Sequence, residues 1–205
     1  MPISEDHAYT QALDAFLRAK VTKPGNAGVV QAYRAVQAMP YRSVADRRPI
    51  TALKSGVGAC TAKHIILRDL LRRLGEDASV EIVEGDFASG IPVHDSMSPE
   101  LQAALREGGV TDLHCRVRLA GPEGQRHLDA TWPQDLSRLG FEVDRGWAGQ
   151  GDTLQAIATV VVRSDNDDVL TTKARLLEDF SQEATKKRLD FLALLTAWLA
   201  EHDKD

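Results

Sequence analysis

The chain of 205 residues carries a net charge of −5 at pH 7, and 43% of its residues are hydrophobic. This is enough to bury the core of one domain with a helical annex, while the negative charge and the lack of basic tracts argue against nucleic-acid binding. No apolar stretch approaches the roughly 18 residues that span a bilayer, and the N-terminus lacks the pattern of a secretion signal, so we expect no membrane partner. The two cysteines, Cys60 and Cys115, make no disulfide framework, which favours free thiols and a cytoplasmic location.

The N-terminal part of the chain predicts two helices, over 4–38. Apolar side chains recur with helical spacing in 4–20, and a second helix is predicted for 27–38. Pro24 separates the two, and Pro40 ends the second because the residue before a proline is pushed out of helical geometry. The stretch from Tyr41 to Gly58 is polar and is expected to be irregular.

The centre of the chain begins with a helix and then changes its apolar period. The helix is predicted from Cys60 to Leu74, followed by Gly75 as its C-terminal breaker. A second, short helix from Pro99 to Glu107 has Ser98 as its cap. Alternating apolar residues then predict strands. These strands cover 78–85, 113–119, 126–132 and 156–162, with a turn at Gly121-Pro122-Glu123-Gly124 between the second and the third.

The C-terminal part is again helical, in two pieces, over a segment from 168 to 202. Helices, then a mainly antiparallel sheet, then helices predict an α+β fold. We therefore expect one domain over 1–205, with its core at about 41–163.

The strand pair 113–119 and 126–132 predicts a histidine and a carboxylate on one face of the sheet. A four-residue loop of Gly121 to Gly124 makes Ala120 face Gln125, which puts Asp129 diagonally across from His114. A two-residue loop at Gly121-Pro122 would put the two directly opposite. Either register keeps them within side-chain reach. A carboxylate beside a histidine fixes its tautomer and supports its protonated form.

Cys60 stands at the first turn of its predicted helix, after Gly56 and Gly58. Free backbone N–H groups and the helix dipole lower the pKa of a thiol at this position. The same N–H groups can hold the oxyanion that forms when a thiolate attacks a carbonyl. The thiol still needs a base and an orienting acid, and His114 and Asp129 supply that pair.

Three segments resemble the transglutaminase-like superfamily. Gly58-Ala59-Cys60-Thr61-Ala62-Lys63-His64 is similar to its cysteine helix, and Leu113-His114-Cys115-Arg116-Val117 to its histidine strand. Leu128-Asp129-Ala130-Thr131-Trp132-Pro133 resembles its aspartate strand. The resemblance covers about 55–133.

The resemblance implies a papain-like core, in which the helix that carries Cys60 packs on an antiparallel sheet that carries His114 and Asp129. It also implies a cysteine hydrolase or acyltransferase that acts on a peptide, protein or small amide, without cofactor or metal. Hydrolysis is slightly preferred over transamidation because water is the default acceptor. The candidates for the oxyanion or substrate site are Tyr41, Thr61 and Trp132.

Two alternatives stay open. Arg116 stands where the family often has an aromatic or large side chain, which motivates a catalytically inactive module that binds a peptide or protein. A zinc site is the other alternative. Its ligands would be Cys60, His64, one of His114 and Cys115, and His94 or His127. If there is no zinc site, we expect His64 either on the helix surface or in contact with the catalytic residues, and Cys115 in the core.

Overall fold

A computed structural model describes residues 5–121, 124–158 and 161–202 as an α+β fold with one four-stranded antiparallel sheet. The helices are α1 (Glu5–Lys20), α2 (Gly25–Gln37), α3 (Pro49–Ser55), α4 (Cys60–Arg73), α5 (Pro99–Glu107), α6 (Val169–Glu178) and α7 (Gln182–His202). The strands are β1 (Asp77–Asp86), β2 (Thr111–Gly121), β3 (Gly124–Leu128) and β4 (Val161–Ser164). Their order in the sheet is β3-β2-β1-β4. None of the helices in the described ranges is long and apolar enough to cross a membrane.

Helix α4 lies on the sheet and forms the centre of the core. It packs against β1 and β2 on one side and against α2 on the other. Its leucines Leu67, Leu70 and Leu71 are fully buried, as the apolar spacing of the helix predicts. Because α4 is enclosed from both sides, the residues at its N-terminus lie inside the protein.

The β2–β3 hairpin has the register that follows from a four-residue loop. Ala120 pairs with Gln125, and Val117 pairs with Leu128. The two central loop residues, Pro122 and Glu123, lie outside the described residues. In this register Asp129 comes diagonally across from His114, as one of the two predicted arrangements requires.

Three predicted elements need correction. The stretch 41–58 contains the short helix α3, which begins with Pro49 in its first turn and ends at Gly56, with a left-handed φ of 76°. The strand expected over 156–162 is instead found at Val161–Ser164. Residues 156–158 form a loop, and 159–160 lie outside the described residues.

Strand β3 also ends earlier than predicted, at Leu128. The next three backbone N–H groups donate to side chains and not to a neighbouring strand. Asp129 N donates to Thr153 Oγ1 (2.7 Å), Ala130 N to His64 Nε2 (2.8 Å) and Thr131 N to Asp129 Oδ1 (3.0 Å). The chain leaves the sheet at the residue whose carboxylate the candidate site uses.

Candidate active site

The His114 and Asp129 side chains form a buried hydrogen-bonded pair. His114 Nε2 lies 2.7 Å from Asp129 Oδ2, and both side chains are 1% exposed. An ionised carboxylate only accepts hydrogen bonds, so Nε2 carries the proton and donates it. This bond fixes the orientation of the ring and leaves the other ring nitrogen, Nδ1, for a second partner.

Backbone groups hold the Asp129 carboxylate in place. Oδ1 accepts from Thr131 N, and Oδ2 accepts from Ala156 N at 2.8 Å. Burial opposes the charge on Asp129, but the charge and hydrogen bond of His114 hold the pKa of this carboxyl well below its usual range. The loop at Ala156 packs so closely on Gly90 that a Cβ there would meet Ala156 O at 2.1 Å.

Cys60 opens helix α4, and its side chain is buried, with only 2% of the residue exposed. The residue before the helix, Ala59, has extended geometry, and its side chain makes no capping hydrogen bond. Tyr41 pairs with Gly58 in a parallel bridge, which fixes the approach to the helix. The first-turn N–H groups of α4 therefore face the region of the thiol without a capping side chain at Ala59.

His64 joins the cysteine helix to the aspartate segment. It is fully buried, so the prediction of a helix-surface position was wrong, while a supporting position fits. Its Nδ1 lies 2.8 Å from the Cys60 carbonyl oxygen and donates to it, and its Nε2 accepts from Ala130 N. With both nitrogens used in this way, His64 is a neutral imidazole that sets the spacing between Cys60 and Asp129.

Lys173, on α6, reaches the cysteine from outside the segment that carries the family resemblance. Its Nζ lies 3.7 Å from Cys60 Sγ and 3.1 Å from Thr61 Oγ1, and the residue is 4% exposed. Burial lowers its pKa, but the charges on Cys115, Cys60 and Asp112 outweigh burial and raise it. Sequence analysis missed Lys173, although it occupies a position on the buried face of α6 between Val169 and Leu176.

Cys115 is buried in the core, as predicted, and it also borders the site. Its Sγ lies 3.7 Å from Thr61 Oγ1 and 3.9 Å from Lys173 Nζ. A hydrogen bond from Cys115, together with the charges of Lys173 and His114, outweighs burial and holds the pKa of the Cys60 thiol well below its usual range. The pKa of Cys115 moves in the opposite direction because its proton is the one donated to Cys60.

The second ring nitrogen of His114, Nδ1, is the one that does not bond Asp129. Among the described residues, Nδ1 has no hydrogen-bond partner of ordinary geometry, and it is buried. Burial lowers the pKa of His114, but the charges of Asp129 and Cys60, together with the hydrogen bond to Asp129, raise it to about 10. The lowered pKa of Cys60 and the raised pKa of His114 together describe a thiolate beside an imidazolium.

Two aromatic candidates for the oxyanion site, Tyr41 and Trp132, contact each other. The rings of Tyr41 and Trp132 have centroids 5.0 Å apart. Burial, followed by the charge of Cys60, raises the pKa of Tyr41 well above its usual range, which keeps its hydroxyl protonated. Trp132 Nε1 is buried and donates to none of the described residues. Both side chains therefore carry a hydrogen-bond donor.

The third candidate, Thr61, lies beside Lys173 and Cys115. Its hydroxyl accepts from Lys173 Nζ at 3.1 Å and lies 3.7 Å from Cys115 Sγ, and its backbone N–H, in the first turn of α4, is a donor that an oxyanion could use. Phe87, which sequence analysis did not single out, covers His114, with the two rings stacked at 6.1 Å.

The predicted zinc ligands are not arranged as a metal site. In the described part of the chain, no group of three or more His, Cys, Asp or Glu side chains is arranged to hold a metal ion. His94 contacts Trp198, and His127 lies 3.3 Å from Asp152. Both nitrogens of His64 are used within the protein.

The structure thus brings Cys60, His114 and Asp129 into one buried cluster, although they are far apart in sequence. His64, Lys173 and Cys115 complete this cluster. No protein-family model and no curated protein matches the chain. The geometry and chemistry of this cluster are therefore what indicate the function of the protein.

Proposed function

We propose that the protein is a thiol acyl-transfer enzyme of papain-like, transglutaminase-like type, with Cys60 as nucleophile, His114 as base and Asp129 as the residue that orients the base. The observation that carries this proposal is the 2.7 Å bond from His114 Nε2 to Asp129, which leaves Nδ1 buried and without another partner among the described residues, while the charge of His114 lowers the pKa of Cys60. A nucleophile, a base and an orienting acid in series are the arrangement of a catalytic triad.

The first half of the reaction acylates Cys60. The Cys60 thiolate attacks the carbonyl carbon of an amide or ester, and the electron pair of the C=O bond moves to oxygen. First-turn N–H groups of α4, with Tyr41 or Trp132, stabilise this oxyanion. As it collapses, His114 Nδ1 gives its proton to the leaving amine or alcohol, and a thioester remains on Cys60.

The second half releases the acyl group. Neutral His114 takes a proton from water, and the hydroxide so formed attacks the thioester, which yields the acid and restores the thiolate–imidazolium pair. An amine in place of water would give transamidation. Asp129 keeps Nε2 protonated throughout, so that Nδ1 is always the nitrogen that exchanges protons.

Acylation by 4-nitrophenyl acetate tests this function without knowledge of the natural substrate. We expect nitrophenolate to be released and one acetyl group to appear on the peptide that contains Cys60, at least about tenfold faster than on a peptide thiol near pH 6, because only an activated thiol is ionised there. Peptide mass mapping after a time course gives the rate.

The same protein unfolded in denaturant supplies the reference rate, and Cys60→Ala supplies the blank. Acetylation of Cys60 no faster in the folded protein than in the unfolded one would remove the enzymatic proposal.

One observation favours a second candidate, an inactive module that binds a peptide or protein. The thiol is only 2% exposed, so a substrate reaches it only when the covering side chains move. A module of this kind would leave Cys60 unacylated in the folded protein, and Cys60→Ala would keep the protein's cellular role. The acylation experiment therefore separates the two candidates.

A further inference from the structure

A cavity of about 170 Å³ lies beside the cysteine, between α4, α6, α7 and the loop before α3. Thr61 and Lys173 form its inner wall, and Lys173 Nζ is also 3.7 Å from Cys60 Sγ. A group bound in the cavity would therefore contact Lys173, which also reaches the nucleophile. The volume is comparable to that of cavities that hold a benzene-sized molecule.

Three cationic side chains line this cavity, and only one of them is neutralised by a carboxylate. Arg188 forms a buried ion pair with Asp112. Arg47 donates to Val44 O at 2.9 Å and to Ser43 Oγ at 2.9 Å, and both oxygens are uncharged. Lys173 donates to a hydroxyl and to the two thiols. Over residues 5–121, 124–158 and 161–202, neither Arg47 nor Lys173 forms an ion pair with a carboxylate. The cavity is thus cationic in a chain whose net charge is −5.

In the free protein, the thiolate of Cys60 is the counter-charge of Lys173. Acylation converts this sulfur to a neutral thioester, which removes the thiolate charge beside Lys173, a residue only 4% exposed, and the nearby carboxylate of Asp112 is already paired with Arg188. An uncompensated buried charge is costly, so an anionic group in the cavity would stabilise the acyl-enzyme. Leu170 and Leu177 supply apolar walls for the carbon chain of such a group.

We propose that this cavity binds a carboxylate of the acyl substrate, which makes the substrate class a short acid or acidic residue that carries its carboxylate close to the scissile carbonyl. The proposal rests on the proposed acyl-transfer function. Lys173 and Arg47 would bind the carboxylate, and Lys173 would bridge it to the reacting sulfur.

Charged and neutral alkylating reagents test this proposal at the same sulfur. We expect the ratio of the iodoacetate rate to the iodoacetamide rate at Cys60 to exceed the ratio for a peptide thiol by about tenfold or more, because the anionic reagent is drawn to the cavity. Arg47→Met should lower that ratio by about tenfold, as for the loss of one charge-assisted hydrogen bond. Mass mapping of the Cys60 peptide gives both rates.

Arg175→Met is the matched control. Arg175 is exposed on α6, the same helix as Lys173, and its loss changes the net charge equally without touching the cavity. We expect this variant to keep the ratio of the parent protein. A ratio that Arg47→Met leaves unchanged, or that Arg175→Met lowers equally, would overturn the proposal.

A protection experiment needs no variant. Glutarate should slow the reaction of Cys60 with iodoacetamide, whereas glutaramide, of the same length and without charge, should not. Equal protection by the two, or protection by neither, would contradict a carboxylate site. Failure of the acyl-transfer proposal looks different, because Cys60 would then react no faster than a peptide thiol with either reagent.

Discussion

Replacement of His114 by alanine is expected to slow the alkylation of Cys60 by iodoacetamide at least about tenfold near pH 6. An ordinary cysteine is only about 0.3% ionised at this pH, since its pKa is about 8.5. His114 is one of three groups that lower the pKa of Cys60, the others being Cys115 and Lys173, which remain in the variant. The expected loss is therefore large but smaller than a full return to peptide reactivity. Rates from peptide mass mapping at several pH values measure it.

His127→Ala is the control for this prediction. His127 also lies beside acidic side chains, with Nε2 at 3.6 Å from Glu81, but it belongs to β3, away from the thiol. We expect this variant to alkylate Cys60 at the parent rate. An unchanged rate in His114→Ala would show that the imidazole does not activate the sulfur.

Replacement of Arg188 by methionine is expected to lower the free energy of unfolding by about 3–5 kcal/mol, which is the usual cost of breaking a buried ion pair. Arg188, on α7, is 5% exposed, and its partner Asp112, on β2, is 2% exposed. Without Arg188, the Asp112 carboxylate stays buried, and among the described residues the bond it keeps is the one from Leu113 N, at 2.8 Å. Urea unfolding of the parent and the variant measures the difference.

Two further variants make this prediction specific. Arg188→Met combined with Asp112→Asn should regain most of the lost stability, because no unpaired charge is then buried. Arg72→Met removes an ion pair with Asp167 whose side chains are 40% and 64% exposed, and it should cost less than about 1 kcal/mol. A cost for Arg188→Met no larger than that for Arg72→Met would contradict the assignment of a buried ion pair.

The sequence predicts the His114–Asp129 pair because successive side chains of a strand point to opposite faces of the sheet. Alternating side chains place His114 and Asp129 on one face, and the spacing of the glycines Gly121 and Gly124 restricts the hairpin to two registers. Both registers bring the pair together, so the prediction does not depend on the loop. The helix that starts at Cys60 is also predicted from local sequence, since a glycine-rich segment precedes it and its apolar residues share one face.

The rest of the cluster depends on tertiary packing, which the local pattern does not specify. A lysine on an amphipathic helix is usually exposed, so the position of Lys173 next to Cys60 follows only from how α6 docks against α4. His64 lies four residues after Cys60, one helical turn away, but its two hydrogen bonds depend on where the Asp129 segment crosses the helix. The early end of β3 has the same origin, because side chains of other elements capture its N–H groups.

The charge state of the His114 ring tests the central claim most directly. Nitrogen NMR shifts of the histidine rings, recorded from pH 5 to 11 on the parent protein and on Cys60→Ala, report which nitrogens are protonated. We expect both nitrogens of His114 to carry protons at neutral pH and to lose one only as the pH approaches about 10, and we expect a lower pKa in Cys60→Ala, where the thiolate charge is gone. A neutral His114 ring at pH 7, with a titration that Cys60→Ala does not change, would contradict the account.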